Sequence, residues 1–134
     1  MSIQKEIIDD FKVLDGDLEM TLNYLMELGE ELDDFNENDK KDENIVKGCQ
    51  SKVWLTYKIK EGRLFFHGDS NTAITKGLLS LLIRIFSGKS SEEILETKLF
   101  FIGDIGLNRF IGTQRSNGLE SMENKFRIIA LSNK

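Results

Sequence analysis

One residue in this chain has the chemistry of a nucleophile that can form a new covalent bond to sulfur. It is Cys49, the only cysteine among 134 residues. It stands in the stretch Lys47-Gly48-Cys49-Gln50-Ser51-Lys52, where a polar segment gives way to an alternating one. A cysteine inside a helix or strand is usually packed and inert. One at a loop-to-strand junction, preceded by glycine, can be approached closely by another protein's backbone. The reactive form is the thiolate, and a thiol with a pKa near 8.5 is only about 3% ionised at pH 7. Lys47, Lys52, His67 and Arg115 are the basic residues to examine as sources of stabilising charge. The residue type also suits a small buried hydrophobe, and spacing alone leaves both readings open.

The counts exclude several chemistries. One cysteine cannot form an internal disulfide, supply a thiolate-rich zinc site or hold a cluster that needs several thiolates. One histidine cannot form a histidine triad on a metal. A net charge of −5 argues against non-specific nucleic-acid binding, although it leaves room for local basic patches. A single thiol fits a reducing compartment. The first residues, MSIQKE, lack an apolar stretch of the signal-peptide kind. The longest mostly apolar run, Gly77 to Ile83, is too short to span a bilayer and ends at Arg84. The expectation is a cytoplasmic protein with no membrane segment, a monomer or weak dimer.

The elements that must position Cys49 follow from periodicity. Ile3, Ile7, Phe11 and Leu14 recur at helical spacing, with Ile8 beside them. Asp15-Gly16-Asp17 breaks that helix, and Asp17 can cap a second one carrying Leu18, Leu22, Leu25, Met26 and Leu28 to about Leu32. Residues 33–44, DDFNENDKKDEN, read as a solvated surface loop. Ser51 to Ile59 has period two, with Val53, Leu55, Tyr57 and Ile59 on one face and Trp54, Thr56 and Lys58 on the other. Lys60-Glu61-Gly62 turns the chain into a second strand, Leu64 to His67, giving an antiparallel hairpin. A helix from about Thr72 to Phe86, apolar on most sides, should be central and buried. Ser90 and Glu93 have the spacing of a capping box. Leu99 to Ile102 adds core, and a last helix is expected from near Ser116 to about Leu131, with Leu119, Met122, Phe126 and Ile129 on one face. With no repeat, linker or low-complexity tract, residues 1–134 read as a single α+β domain, a small antiparallel sheet packed against helices.

Several blocks of the chain resemble the SufE family of sulfur acceptors for type II cysteine desulfurases. The cysteine block, GCQSKVWL (Gly48 to Leu55), is similar to the family's signature. Tyr24 to Gly29 looks like its helix before the loop, and Asp42-Glu43-Asn44 with Val46 leads into the cysteine as in the family. Gly68-Asp69-Ser70 followed by Ala73 to Leu78 resembles its strand-to-helix junction, and Arg115 to Leu119 with Met122 its final motif. The blocks lie in order over about residues 20–130. Two departures stand out: Asn71 where the family commonly has Asp, and Gly112-Thr113-Gln114 where it commonly has a proline.

The resemblance implies a fold related to the IscU scaffold and gives Cys49 the role of persulfide carrier. It implies a SufS-type cysteine desulfurase as donor and a SufBCD-type cluster scaffold as recipient. Pyridoxal phosphate is expected on the desulfurase only, so this chain would have no cofactor, no metal and no independent turnover. Arg115 matches an arginine implicated in the family's function; a guanidinium there could favour thiolate, bind an acidic partner or simply form a surface ion pair. Gln50 reads as structural, bonding the loop or capping its turn. Asp69 reads as a cap for the central helix, and His67 as a structural strand residue. Trp54 suits either core or interface. The competing readings are a single-cysteine redox sensor and an interaction module with an inert cysteine.

Overall fold

The computed structural model describes residues 2–49, 51–101 and 112–134, and the side chains of all of these but 112–117. Five helices and one hairpin are seen among them. Helix α1 spans Ile3–Lys12 and α2 spans Leu18–Glu30. Two short 3-10 turns follow, Glu37–Asp39 and Asp42–Asn44. Strands β1 (Val53–Lys60) and β2 (Arg63–Ser70) form a two-stranded antiparallel sheet with Val53 opposite Ser70 and Lys60 opposite Arg63. Helices α3 (Ala73–Phe86), α4 (Ser91–Glu96) and α5 (Gly112–Ser132) complete the order. The α+β reading therefore holds.

Local chemistry explains the helix starts. The Asp17 carboxylate accepts from the Met20 backbone N–H, and Ser90 and Glu93 form the reciprocal capping box. The central helix is as apolar in place as in sequence: Leu78, Leu79, Leu81, Leu82, Ile85 and Phe86 are all buried. It packs between α2 on one side and β2 on the other, and the rings of Phe66, Phe86 and Phe126 meet where sheet, α3 and α5 come together. Leu119, Met122, Phe126 and Ile129 of α5 face this core as expected. Gln4 fastens α1 to the 98–101 segment by donating to the Lys98 carbonyl and accepting from the Phe100 and Phe101 amides. Arg127 fastens α5 to α4 through the Ile94 and Thr97 carbonyls.

Several expectations need correction. The second strand runs on to Ser70 rather than stopping at His67, because Asp69 finds cationic partners and stays in the ladder. The 33–44 segment is not merely solvated: its Lys40 lies over the Trp54 ring at 5.3 Å and reaches Asp69 at 3.3 Å. Trp54 is thereby buried on the second face of the sheet, which resolves its two readings in favour of packing. The apolar face of β1 is buried only in its first half, where Val53 and Leu55 sit; Tyr57 and Ile59 are exposed. Leu18 is exposed rather than part of the α2 stripe. Helix α5 begins at Gly112, ahead of the expected Ser116.

The α2–α3 crossing depends on two glycines. A Cβ on Gly77 would stand 2.7 Å from the Leu25 carbonyl carbon, and one on Gly29 would stand 2.9 Å from the Gly77 nitrogen. Both clashes are with backbone, which cannot rotate away. Gly77→Ala should lower unfolding free energy by about 2 kcal/mol despite alanine's better helix propensity, as read by equilibrium denaturation. An unchanged midpoint would contradict the close crossing.

Candidate functional site

The segment carrying Cys49 is tied down at both ends by backbone bonds. Before it, the Val46 N–H donates to the Val53 carbonyl at 2.8 Å, and Val46 itself is core. After it, Lys52 and Asn71 bond reciprocally: the Lys52 N–H donates to Asn71 Oδ1 at 2.9 Å, and the Asn71 N–H donates to the Lys52 carbonyl at 3.1 Å. Asn71 thus brings the start of α3 against the loop. Gly48 takes a left-handed backbone, φ +93°, and lies so close to α5 that a Cβ there would collide with Ser121 Oγ. Position 48 therefore needs glycine twice over, and its turn aims the next side chain inward.

Cys49 is half-buried, with its Sγ 3.5 Å from the Gly118 carbonyl oxygen, to which the thiol can donate. The sulfur borders a cavity of about 410 Å³. The first turn of α3 (Thr72 to Thr75) forms one wall; Gly118 and Met122 of α5 and Met26 of α2 form the others. Ser51 Oγ links loop to wall, 2.7 Å from Thr72 Oγ1 and 3.3 Å from Thr75 Oγ1. The lining thus combines two methionines and aliphatic side chains with three hydroxyls, those of Ser51, Thr72 and Thr75.

Burial pushes the Cys49 thiol above its ordinary pKa. None of the described basic residues offsets this. Burial is the one cause acting on the thiol, and no described cation lowers it; Lys47 lines a separate groove with Ser121 and Lys125, and His67 lies half-buried in β2 opposite Thr56. Of the basic residues singled out for examination, Lys47, Lys52 and His67 are all absent from the lining of the thiol cavity. The Arg115 side chain and Gln50 lie outside the described residues; Arg115 falls in the first turn of α5.

Asp69 does not cap α3, as the sequence suggested. Thr72 occupies the cap position without a side-chain bond. The Asp69 carboxylate instead accepts from the Ser70 N–H and bridges Lys40 (3.3 Å) and Lys76 (3.2 Å). Burial would raise its pKa, but the Ser70 N–H and the two ammonium groups outweigh that and hold it below the usual carboxylate range. Neither Asp69 nor His67 lines the thiol cavity. The cavity lining includes Ser51, Thr75, Met26 and Gly118, which the sequence reading holds as members of the family-like blocks rather than as site residues, and Thr72, which it does not single out as a site residue. Gly118 left a second signal, a glycine within a helical pattern, which usually marks close packing.

The chain matches the family model described as SufE, Fe-S metabolism associated domain, over residues 5–130. An uncharacterised SufE-like protein of Rhizobium meliloti (strain 1021) is 40% identical over 127 residues, 91% of this chain and 90% of that protein. One from Rhizobium etli is 39% identical over 132 residues, covering 95% and 88%. The fold is similar to a solution structure of a hypothetical protein from Thermus thermophilus, with TM-score 0.78 and 20% identity over 99% of this chain and 98% of that one.

Two outcomes follow from this geometry. Alkylation of Cys49 by iodoacetamide should rise with pH through a midpoint above the ordinary value of about 8.5, and return to that value in urea-unfolded protein. Gly48→Ala, which cannot keep the inward turn, should react faster at pH 7; equal rates would show that the turn does not shelter the thiol. Separately, Asp69→Asn should cost about 1–2 kcal/mol at pH 7. Because the folded pKa of Asp69 is depressed, its contribution is present above the unfolded value and is lost as pH falls through the folded one. The gap between wild type and variant should therefore close in acid, as read by denaturant unfolding across pH.

Proposed function

The chain belongs to the SufE family, and from that premise we propose that Cys49 accepts a sulfur atom from a SufS-type cysteine desulfurase and passes it to a SufBCD-type scaffold for iron–sulfur cluster assembly. The observation that carries this is the placement of the sole thiol: half-buried at a cavity, on a short loop fastened at both ends. The Cys49 thiolate attacks the outer sulfur of the donor's persulfide. A bond from Sγ to that sulfur forms, the donor's sulfur–sulfur bond breaks, and the donor cysteine leaves as thiolate. The Cys49 proton is lost before attack, and no net oxidant is needed because the sulfane oxidation level moves with the atom.

A second thiol in this chain would resolve the product as a disulfide and release sulfide, so one cysteine suits a carrier. Half-burial of the thiol favours this reading over a peroxide sensor, which works from an accessible thiolate. Pyridoxal phosphate belongs on the donor, and this chain acts as an accessory protein without turnover of its own. Among the described residues, no helix is long and apolar enough to cross a membrane. A cytoplasmic location fits the reduced thiol that the reaction requires.

Intact-mass analysis after mixing with a desulfurase and free cysteine tests the reading. One added sulfur atom is expected, removed by reductant and absent from Cys49→Ser. No mass gain beside an active desulfurase would overturn the proposal, and undiminished cluster assembly with Cys49→Ser in cells would point to an inert cysteine.

A further inference from the structure

The far end of the hairpin from Cys49 carries an unabsorbed set of features. Strand β1 pairs with β2 along one edge. Along its other edge, the Val53 carbonyl accepts from Val46, and Ile45 bridges Trp54. Backbone groups alternate along a strand, so the outward carbonyl of Val53 places those of Tyr57 and Ile59 on the same outer edge. Among the described residues, no backbone partner reaches β1 there. Tyr57 and Ile59 are also exposed on one face (40% and 54%), and Phe65 on the other (37%). Lys58 and Lys60 stand exposed beside Phe65, with Arg63 and Lys89 nearby. At the tip these four cationic residues face Glu61 and Glu93, the latter 3.6 Å from Arg63, and in the groove beside Tyr57 Lys41 and Lys125 stand with Asp39 and Glu43, which leaves the edge basic in a chain of net charge −5.

We propose that the outer edge of β1 from Tyr57 to Lys60 is a docking site for an extended strand of a partner protein whose side chains alternate apolar and acidic. The outward amides and carbonyls of Tyr57 and Ile59 supply main-chain bonds, as in other strand additions. The partner's apolar side chains cover Tyr57 and Ile59, while its carboxylates meet Lys58 and Lys60 on the opposite face. A second copy of this chain is the wrong occupant, because self-pairing would bring lysines against lysines. Lysines that only guarded the edge would not explain apolar side chains left open on both faces. The site lies roughly 20 Å along the strand from the cysteine loop, so docking there leaves the thiol free. This inference is independent of the sulfur chemistry.

The test is an NMR titration of the ¹⁵N-labelled full chain with a capped peptide, Val-Glu-Ile-Glu-Val-Glu, and its counterpart with lysine in place of glutamate. The acidic peptide should shift the Tyr57 and Ile59 amides and slow their hydrogen exchange at least about tenfold, while the basic one leaves them unmoved. The double variant Lys58→Glu, Lys60→Glu should exchange that preference, with an unchanged Cys49 alkylation rate as the control for folding. No shift at these amides at millimolar peptide, equal response to both peptides, or broadening that grows with protein concentration alone would overturn the proposal; the last would mark a second copy as the occupant.

Discussion

The paired hydrogen bonds between Lys52 and Asn71 are the constraint on which the site depends. They join the end of the cysteine loop to the residue just before α3, across the mouth of the hairpin. With the Val46–Val53 bond they confine the loop tip to a few residues around Cys49. They also place the first turn of α3 where it can wall the cavity. The contacts of the tip itself are weaker: a long thiol-to-carbonyl approach at Gly118 and hydroxyl contacts from Ser51. A net hydrogen bond contributes about 0.5–1.5 kcal/mol, so the hydrogen bonds of the tip hold it less firmly than the anchors on either side.

What places α3 so close is the glycine crossing with α2. Gly77 lets the Leu25 backbone approach, and Gly29 lets α2 lie against Lys76. From there Lys76 reaches Asp69 in β2, and Asp69 in turn holds Lys40 over Trp54. One chain of contacts thus runs from the core crossing, through the strand, to the segment before the cysteine. Its charged members sit at the boundary of the core, where a carboxylate between two ammonium groups retains more of its Coulomb attraction than on open surface.

Much of this was legible because it is local. Asp17, the Ser90–Glu93 box and the helical stripes of α3 and α5 act within four residues of themselves, and the structure bears them out. The misreadings concern partners distant in sequence. Asp69 looks like a cap because its neighbours in the chain begin a helix; its real partners, Lys40 and Lys76, come from two other segments. The acidic run at 33–44 looks purely solvated because nothing in its composition marks Lys40 as the residue that folds back. Period two on β1 gave the correct faces but not their depth, since the core closes over Phe66 and Leu64 of β2 and leaves their β1 partners Tyr57 and Ile59 exposed. The loop-to-strand position of Cys49 was legible, but its shelter is made by Gly118 and the hydroxyls at the start of α3, both remote in sequence.

The electrostatics of the thiol bear on how a carrier of this kind would work. A nearby lysine would make a better resting nucleophile, and also a thiolate open to oxidation. Here burial keeps the proton on Cys49, and the described basic residues leave it there. On the sulfur-acceptor reading, ionisation then has to accompany loop opening or the arrival of charge from the donor. Reactivity is coupled in that way to the presence of the right partner, and the cost is the few contacts at the loop tip. A protected thiol is therefore no obstacle to the proposed transfer; it separates the resting state from the reacting one.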